Sequence, residues 1–166
     1  GQHESIHVQY LNLLTGITAK IKQSKQNVYL GLAIPFWYDE AEENGKLKYE
    51  VTWNKKTKPM SYHLLDVVDE IAIMDYRTQA EGNNGTIQHA SGEIKYADSI
   101  KKKVWIGLET TEVHGDPPSI SFHGHPVSDL NSVINKTIKA FKKNKSFLGI
   151  AIHFYEPYKA MIEKGE

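Results

Sequence analysis

The sequence predicts an α/β fold in which parallel strands alternate with helices. Three observations predict it: four segments are nearly continuous apolar runs, helical patterns lie between them, and one alternating stretch stands outside this order. Strands that are apolar on both faces are typical of a parallel sheet, whereas strict alternation is typical of a strand with one wet face. We therefore expect βα units joined by right-handed crossovers, with a small β-hairpin inserted among them.

Each predicted element follows from its own pattern. The predicted strands are Val28–Asp39, Val68–Arg77, Val104–Thr110 and Phe147–Tyr155. The predicted helices, which carry apolar residues at spacings of three and four, are Ile6–Lys22, Ser61–Val67, Gly92–Lys103 and Ser128–Lys143. Ser91 is the expected N-cap of the third helix. The run KLKYEVTW alternates and predicts the hairpin, whereas EGNNGTIQH at Glu81–His89 is rich in glycine and asparagine and predicts a loop.

Length and composition restrict the class of protein. The 166 residues fit one domain, so we treat residues 1–166 as a single partial barrel domain with an insertion at about residues 40–59. A formal net charge of zero argues against nucleic-acid binding, and the absence of cysteine excludes disulfides and cysteine-ligated metals. No apolar run approaches the ~20 residues of a membrane span, and no leader peptide is visible. We predict no cofactor and leave the compartment open, with an extracellular or cell-envelope location favoured over the cytoplasm.

The two faces of each predicted strand differ in the same way. One face carries large aliphatic side chains, such as Ile106, Leu148 and Ile150, and suits helix packing. The other begins with small residues and ends in an aromatic or ionisable side chain. A barrel interior explains both features better than an open sheet covered by helices on both faces. The residues expected to converge at one mouth are Asp39, Tyr76, Glu109, His153 and Tyr155. The alternative is that each of them only marks the point where its strand reaches water.

Four strands make about half of a TIM-type (βα)8 barrel, which typically takes ~250 residues. The other half is then either cut away or supplied by another molecule. An isolated half-barrel exposes two unpaired edges and an apolar face. We therefore expect a homo-oligomer, or pairing with a missing N-terminal half.

Short motifs in three of the strands resemble those of sugar-cleaving barrels. The run IMDYR, with Met74, Tyr76 and Arg77, looks like the Met-x-Tyr-Asp/Asn strand ending of chitinase-like glycoside hydrolases. The runs WIGLET and GIAIHFYEPY resemble the last two strands of a broader, uncharacterised set of glycosidase-like barrel proteins of bacteria. The likeness extends from about Tyr10 to Tyr158 and is to the C-terminal half of such a barrel.

This resemblance implies a carbohydrate-facing site at the C-terminal ends of the strands. The residues that it places at the mouth are Trp37, Asp39, Tyr76, Arg77, Glu109, His153 and Tyr155. The sequence departs from the family pattern at Arg77, which replaces an acidic or amide residue. The Asp-x-Glu acid of such barrels lies on the fourth strand, which would precede Gln2–Lys22 and is not in this chain. The resemblance therefore implies a piece without its general acid.

Glycoside cleavage requires two carboxyl groups, and Asp39 and Glu109 are the only acidic pair on the predicted inner face. Glu109 is the best acid/base candidate, because burial beside an apolar wall favours the protonated form that a general acid needs. Asp39 is the second carboxylate, and Arg77 and His153 would orient the substrate or stabilise charge. The alternative is that Glu109 forms a structural ion pair with Arg77 or His153.

The aromatic residues Trp37, Tyr76 and Tyr155 are expected to stack on a sugar face, although aromatic side chains at strand ends more often close a core. Asp75 points toward the helices on this alternation and is discounted.

Two other functions stay open. One is a non-catalytic carbohydrate-binding or assembly module that lacks the general acid.

The other is a metal-dependent hydrolase built on the loop that contains His114, Asp116, His123 and His125. The His-x-Asp and His-x-His spacings suit zinc, but a metal site also needs ligands held in place by their neighbours. Histidines in a proline- and glycine-bearing loop are more commonly solvated. We therefore predict no metal.

Overall fold

Four parallel strands form the central sheet of the protein, which a computed structural model describes for residues 2–42 and 45–164. The strands are β1 (Gly31–Pro35), β4 (Glu70–Met74), β5 (Lys103–Glu109) and β6 (Phe147–His153), and they lie in that order. A separate antiparallel hairpin consists of β2 (Glu50–Trp53) and β3 (Lys56–Pro59). The α-helices are α1 (Gln2–Ser24), α2 (Met60–Val67), α3 (Thr86–Ile100), α4 (Val127–Phe141) and α5 (Tyr155–Lys164). The predicted α/β fold of parallel βα units with an inserted hairpin is confirmed, and it is compatible with part of a TIM-type barrel.

The helices bury one face of this sheet. Alternate strand residues on that face, such as Ile71, Ile73, Val104 and Ile106, are fully buried, because α1, α2 and α3 pack their apolar stripes there. Burying each such side chain contributes about 1.5–3 kcal/mol to stability. The core of the described residues therefore lies between the sheet and its helices.

The other sheet face, called the open face below, carries Ala33, Ala72, Trp105, Gly107 and Ala151. None of these residues belongs to either apolar core cluster of the described chain, and all except Gly107 are partly or well exposed. The predicted contrast between an aliphatic face and a face of small residues is therefore present. Only the aliphatic face is packed against helices of the described chain.

A β-bulge in β6 changes the predicted alternation at one residue. Val104 pairs with Phe147, but Trp105 pairs with Gly149, so Leu148 is an extra residue between the two pairs. The prediction that Leu148 packs on the helix face is wrong, since it is 38% exposed. Gly149 has φ +141°, a conformation that residues with a side chain rarely adopt. Beyond the bulge the predicted alternation holds through to His153.

Helix α3 begins six residues before the predicted start. Ser91, expected as its N-cap, lies inside the helix and donates its hydroxyl hydrogen bond to the Ile87 carbonyl at 2.5 Å. Part of the predicted loop at Glu81–His89 is therefore helical. Gly92 weakens the helical pattern in the sequence, but a Cβ at this position would overlap the Asp39 carboxylate. This glycine thus makes room for an acidic side chain and does not end a helix.

The first and last strands end earlier than predicted, and a helical segment follows each of them. After Pro35 the predicted first strand turns into a short 3₁₀ helix at Phe36–Asp39. The predicted last strand ends at His153, and the unpredicted helix α5 starts at Tyr155. Aromatic residues that continue an apolar run therefore belong here to the turns that follow the strands.

The hairpin insertion is fixed to the helices by side chains. Its two-residue turn has Asn54 and Lys55 at φ 49° and 64°, which is typical of a type I′ turn. The Trp53 indole N–H donates to Asn12 Oδ1 on α1 at 2.9 Å. The His63 ring on α2 meets the Val51 carbonyl at 2.9 Å. The insertion is therefore an ordered extension of the helical layer.

Candidate functional site

A carboxylate–imidazole pair lies at the C-terminal ends of the two neighbouring strands β5 and β6. Glu109 and His153 are paired in the strand register, so both side chains point to the open face. His153 Nδ1 lies 2.7 Å from Glu109 Oε2. The Glu109 side chain is 5% exposed, whereas that of His153 is 55% exposed. His153 is therefore the member of the pair that a ligand can reach.

The second oxygen of Glu109 is held by the chain that follows it. Oε1 accepts hydrogen bonds from the backbone N–H groups of Thr110 at 2.8 Å and Thr111 at 2.7 Å, and from the Thr111 hydroxyl at 2.7 Å. Both carboxylate oxygens are thus engaged within the protein. Because Nδ1 of His153 is committed to Glu109, Nε2 is the ring nitrogen that can meet a ligand. The arrangement suits Glu109 to positioning the imidazole.

Tyr76 lies beside this pair. Its ring is 5.9 Å from the His153 ring at an interplanar angle of 26°. A Cβ at Gly107 would lie 3.7 Å from Tyr76 Cε1 and 2.9 Å from the Ile73 carbonyl oxygen, so the glycine allows the close approach of β4 and β5 below the tyrosine. Burial, and secondarily the charge of Glu109, raise the pKa of Tyr76, which keeps its hydroxyl protonated. The phenol is therefore a neutral donor and stacking surface next to His153.

Asp39 lies in a different environment from Glu109. It contacts Gly92 of α3 and Tyr62 of α2, on the helix side of the sheet, and it interacts with the Glu93 carboxyl. Burial is the main cause that raises the pKa of Asp39 to about 6. Strand β4 lies between β1, which precedes the 3₁₀ helix that contains Asp39, and β5, which ends at Glu109. The two predicted carboxyl groups therefore do not face one another.

Arg77 is engaged by neutral groups. Its guanidinium carbon lies 4.5 Å from the centre of the Phe36 ring, Nη1 donates to the Tyr76 carbonyl at 2.6 Å, and Nε donates to Asn84 Oδ1 at 2.8 Å. Of the two expected partners, His153 and not Arg77 therefore contacts the Glu109 carboxylate.

The two outer aromatic residues of the predicted mouth are more exposed. Trp37 lies in the 3₁₀ helix after β1 and packs edge-on against Phe36, with the ring centres 5.1 Å apart. Tyr155 is the first residue of α5 and is 67% exposed. The structure thus brings together Tyr76, Glu109 and His153, with Trp37 and Tyr155 further out on the surface and Asp39 on the helix side.

Sequence reasoning missed a second imidazole–carboxylate pair. His89 Nδ1 lies 2.9 Å from Oδ1 of the fully buried Asp75, and the His89 ring stacks on Phe36 at 4.2 Å. Burial raises the pKa of Asp75, while His89 opposes that rise. The sequence did contain a signal, since an aspartate that points into a helix-covered face needs a polar partner. His89 was not recognised as that partner, because the sequence analysis predicted a loop at this position.

The four residues of the histidine-rich loop, His114, Asp116, His123 and His125, are not gathered around one point. His125 lies 3.4 Å from Asp129, and His114 lies 3.9 Å from Glu112. Within residues 2–42 and 45–164, no three histidine, aspartate or glutamate side chains are placed to hold a metal ion together. His123 and His125 instead line a cavity of about 620 Å³ beside Thr110, Thr111 and Phe154. This cavity adjoins the segment that binds Glu109.

No family model, curated protein or solved structure matches the chain. In the part of the chain that the structure describes, no helix has both the length and the apolarity that crossing a membrane requires.

Proposed function

We propose that this chain binds carbohydrate at the C-terminal ends of β4, β5 and β6, as part of a glycosidase-like barrel. The observation that carries the proposal is the Glu109–His153 pair, which opens onto a sheet face of small residues with Tyr76 alongside. Clefts at the C-terminal ends of parallel strands are where barrel proteins build their sites. The resemblance to glycosidase-like barrels supports sugar as the ligand.

The chemistry of these three side chains fits a sugar ring. The aromatic face of Tyr76 can pack on the C–H face of the ring, which is apolar. His153 Nε2 and the Tyr76 hydroxyl can exchange hydrogen bonds with sugar hydroxyl groups. Glu109 fixes the direction of the imidazole, so less conformational freedom is lost when the ligand binds.

The placement of the acidic residues favours binding without hydrolysis by this chain alone. A glycosidase needs two carboxyl groups on opposite sides of the scissile bond. Asp39 is turned toward α2 and α3, and both oxygens of Glu109 accept hydrogen bonds from the protein. Hydrolysis at this site would therefore require a carboxyl group other than that of Asp39.

The test is a titration of the full chain with cellotetraose and chitotetraose, followed by NMR of the backbone amides. We expect chemical-shift changes at Thr110, Thr111 and His153 with at least one of the two sugars. His153→Ala should weaken that binding by about tenfold, since it removes the accessible member of the pair. Saccharide products should not form during the incubation.

The matched control is His114→Ala, which removes an exposed histidine of the neighbouring loop. Binding unchanged in His153→Ala, or binding lost equally in both folded variants, would show that the sugar does not use this pair. No shift with either tetrasaccharide would remove the support for these two sugars as ligands. Release of shorter sugars would contradict the non-catalytic assignment.

A further inference from the structure

Each edge of the central sheet is flanked by one helix. The helices pack against one another in the order α1, α2, α3, α4, and the strands follow the same direction from β1 to β6. Helix α1 therefore lies at the β1 end of the helical layer, and α5, which packs on β6, lies at the other end. Within residues 2–42 and 45–164, neither β1 nor β6 has a second neighbouring strand.

Exposed apolar side chains are concentrated at these two edges. Of the twelve large apolar side chains that are exposed in the described part of the chain, four lie on α1 and four lie on β6 or between its end and the end of α5. They are Ile6, Tyr10, Leu13 and Ile17 at the first edge, and Leu148, Phe154, Tyr155 and Ile162 at the second. Grouped apolar side chains on a surface are typical of a face that another molecule covers.

The exposed side chains of each helix share one helical face. The four residues of α1 follow one another at spacings of four, three and four, and Tyr155 and Ile162 of α5 are seven residues apart. Stripes with these spacings are suited to packing against another helix. Each edge therefore presents an unpaired strand together with a helix stripe.

A second copy of the chain supplies what both edges lack. Its β1 can pair with β6 and its β6 with β1, because all strands of the sheet are parallel. A two-fold axis then closes eight strands into a ring, with α5 of each copy beside α1 of the other. An eight-stranded barrel has an interior that side chains just fill, which suits the small residues of the open face. Stacking two open faces as a flat sandwich would leave the strand edges unpaired.

We propose that two copies of this chain close into an eight-stranded barrel, and that each copy places its Trp37 beside His153 of the other. Trp37 follows β1 and is 39% exposed, and His153 ends β6. Within one copy, β4 and β5 separate these two strands. Closure brings the C-terminal ends of β6 and of the partner's β1 to the same rim. Trp37 of the partner subunit then adds a second aromatic surface opposite Tyr76, a role in sugar binding that rests on the proposed function.

The first test is cross-linking, which needs no sugar. The full chain contains no cysteine, so Leu13→Cys on α1 and Ile162→Cys on α5 each introduce a single thiol. The two variants are mixed and treated with a short bismaleimide. We expect about tenfold more mixed dimer than from Leu13→Cys with Lys95→Cys, an exposed position on the central helix α3, because proximity raises the effective concentration of the thiols.

A second pair of variants reads the position of Trp37 directly. Trp37→Cys mixed with Tyr155→Cys should also give the mixed dimer, since Tyr155 starts α5 two residues after His153. A yield from either pair no higher than that of the control would overturn the proposal. So would an excess of cross-links between like variants, because the barrel keeps the two copies of the same edge apart. A flat sandwich fails with the first pair, since its helical layers lie on opposite sides, and a monomeric chain fails with both.

The third measurement asks whether the two copies share the sugar site. Trp37→Ala and His153→Ala should each weaken tetrasaccharide binding by about tenfold. Their mixture should recover the wild-type affinity in about a quarter of the sites, because random pairing makes half of the dimers mixed and each mixed dimer has one intact site. Conversely, an excess of the double variant should weaken binding by the wild-type chain, because every mixed dimer then has two defective sites.

No recovery in the mixture, with the wild type still binding sugar, would overturn the shared site. Lack of sugar binding by the wild type would contradict the proposed function alone, because the two cross-linking pairs decide barrel closure and the position of Trp37 without a ligand.

Discussion

Two carboxyl groups that look equivalent in the sequence have opposite environments at the scale of single residues. Glu109 accepts hydrogen bonds from two backbone N–H groups, a hydroxyl and an imidazole. Asp39 is half-buried beside the Glu93 carboxyl, and no lysine or arginine is among the groups that act on it. Burial disfavours the charged form of a carboxyl group and is the main cause that raises the pKa of Asp39. Only the packing of the folded chain distinguishes the two residues.

This difference predicts how stability depends on pH. The pKa of Asp39 rises from 3.8 to about 6 on folding, so the folded state binds more protons than the unfolded state between these values. Asp39 therefore stabilises the fold least above pH 6, and its contribution falls as pH rises from 3.8. In Asp39→Asn this loss is absent. The unfolding free energy of the variant, measured in urea across this range, should rise relative to that of the wild type as the pH increases. Parallel pH profiles of the two proteins would contradict this assignment.

The site could be predicted from the sequence only where alternation along a strand decides it. Glu109 and His153 end two apolar strands with the same alternation, and this was enough to bring them together. Asp39 follows Pro35 and leaves the strand in a 3₁₀ turn, where the strand period no longer applies. His89 needed the correct start of α3, which the Gly-Asn run before it concealed.

At the scale of elements, glycine is favoured over alanine at one position of the chain and disfavoured at another. Gly149 has φ +141° in the β6 bulge, and a Cβ there would lie 3.4 Å from the Trp105 ring. Gly16 lies within α1, and a Cβ there would meet nothing within 4 Å. Only the bulge needs the freedom of glycine.

Gly149→Ala should therefore destabilise the protein by about 1–3 kcal/mol, because alanine is strained at a positive φ. Gly16→Ala should stabilise it by about 0.5–1 kcal/mol, because alanine is the better helix former. Chemical denaturation followed by circular dichroism measures both changes. Effects of the same sign in the two variants would show that the bulge tolerates a side chain.

The types of the long elements were predictable because packing on one sheet face imposes a clear period. The stripe of α4 and the apolar runs of β4, β5 and β6 are examples. The boundaries of helices and strands were less predictable where the identity of a residue is set by a contact with a residue distant in the sequence. Gly92 is such a residue: it lies inside α3, and a side chain there would overlap the Asp39 carboxylate.

At the scale of the whole molecule, the sheet has helices on one side only within the described residues. The open face carries Ala33, Trp105 and Ala151, which are partly or well exposed, and β1 and β6 each have a neighbour on one side in the described sheet. Uncovered faces and free strand edges favour association. The expectation of a homo-oligomer, or of pairing with an N-terminal half, therefore stays a prediction.

Analytical ultracentrifugation over a range of concentrations tests it. We expect the average mass to rise with concentration, because burial of the open face is favourable. Trp105→Lys should shift the equilibrium toward the monomer, while the exposed Tyr29→Lys serves as the control on the chain before β1. A constant monomer mass at all concentrations would contradict self-association.

The extra residue in β6 also decides which side chain stands next to Glu109. If Leu148 paired with Trp105 and no bulge interrupted the ladder, each later residue of β6 would move one place along its neighbour, and Ile152 would stand opposite Glu109. The carboxylate would then face a hydrocarbon side chain in place of the His153 imidazole. The placement of His153 at this edge of the sheet thus depends on a bulge about 15 Å upstream, at ~3.3 Å per residue.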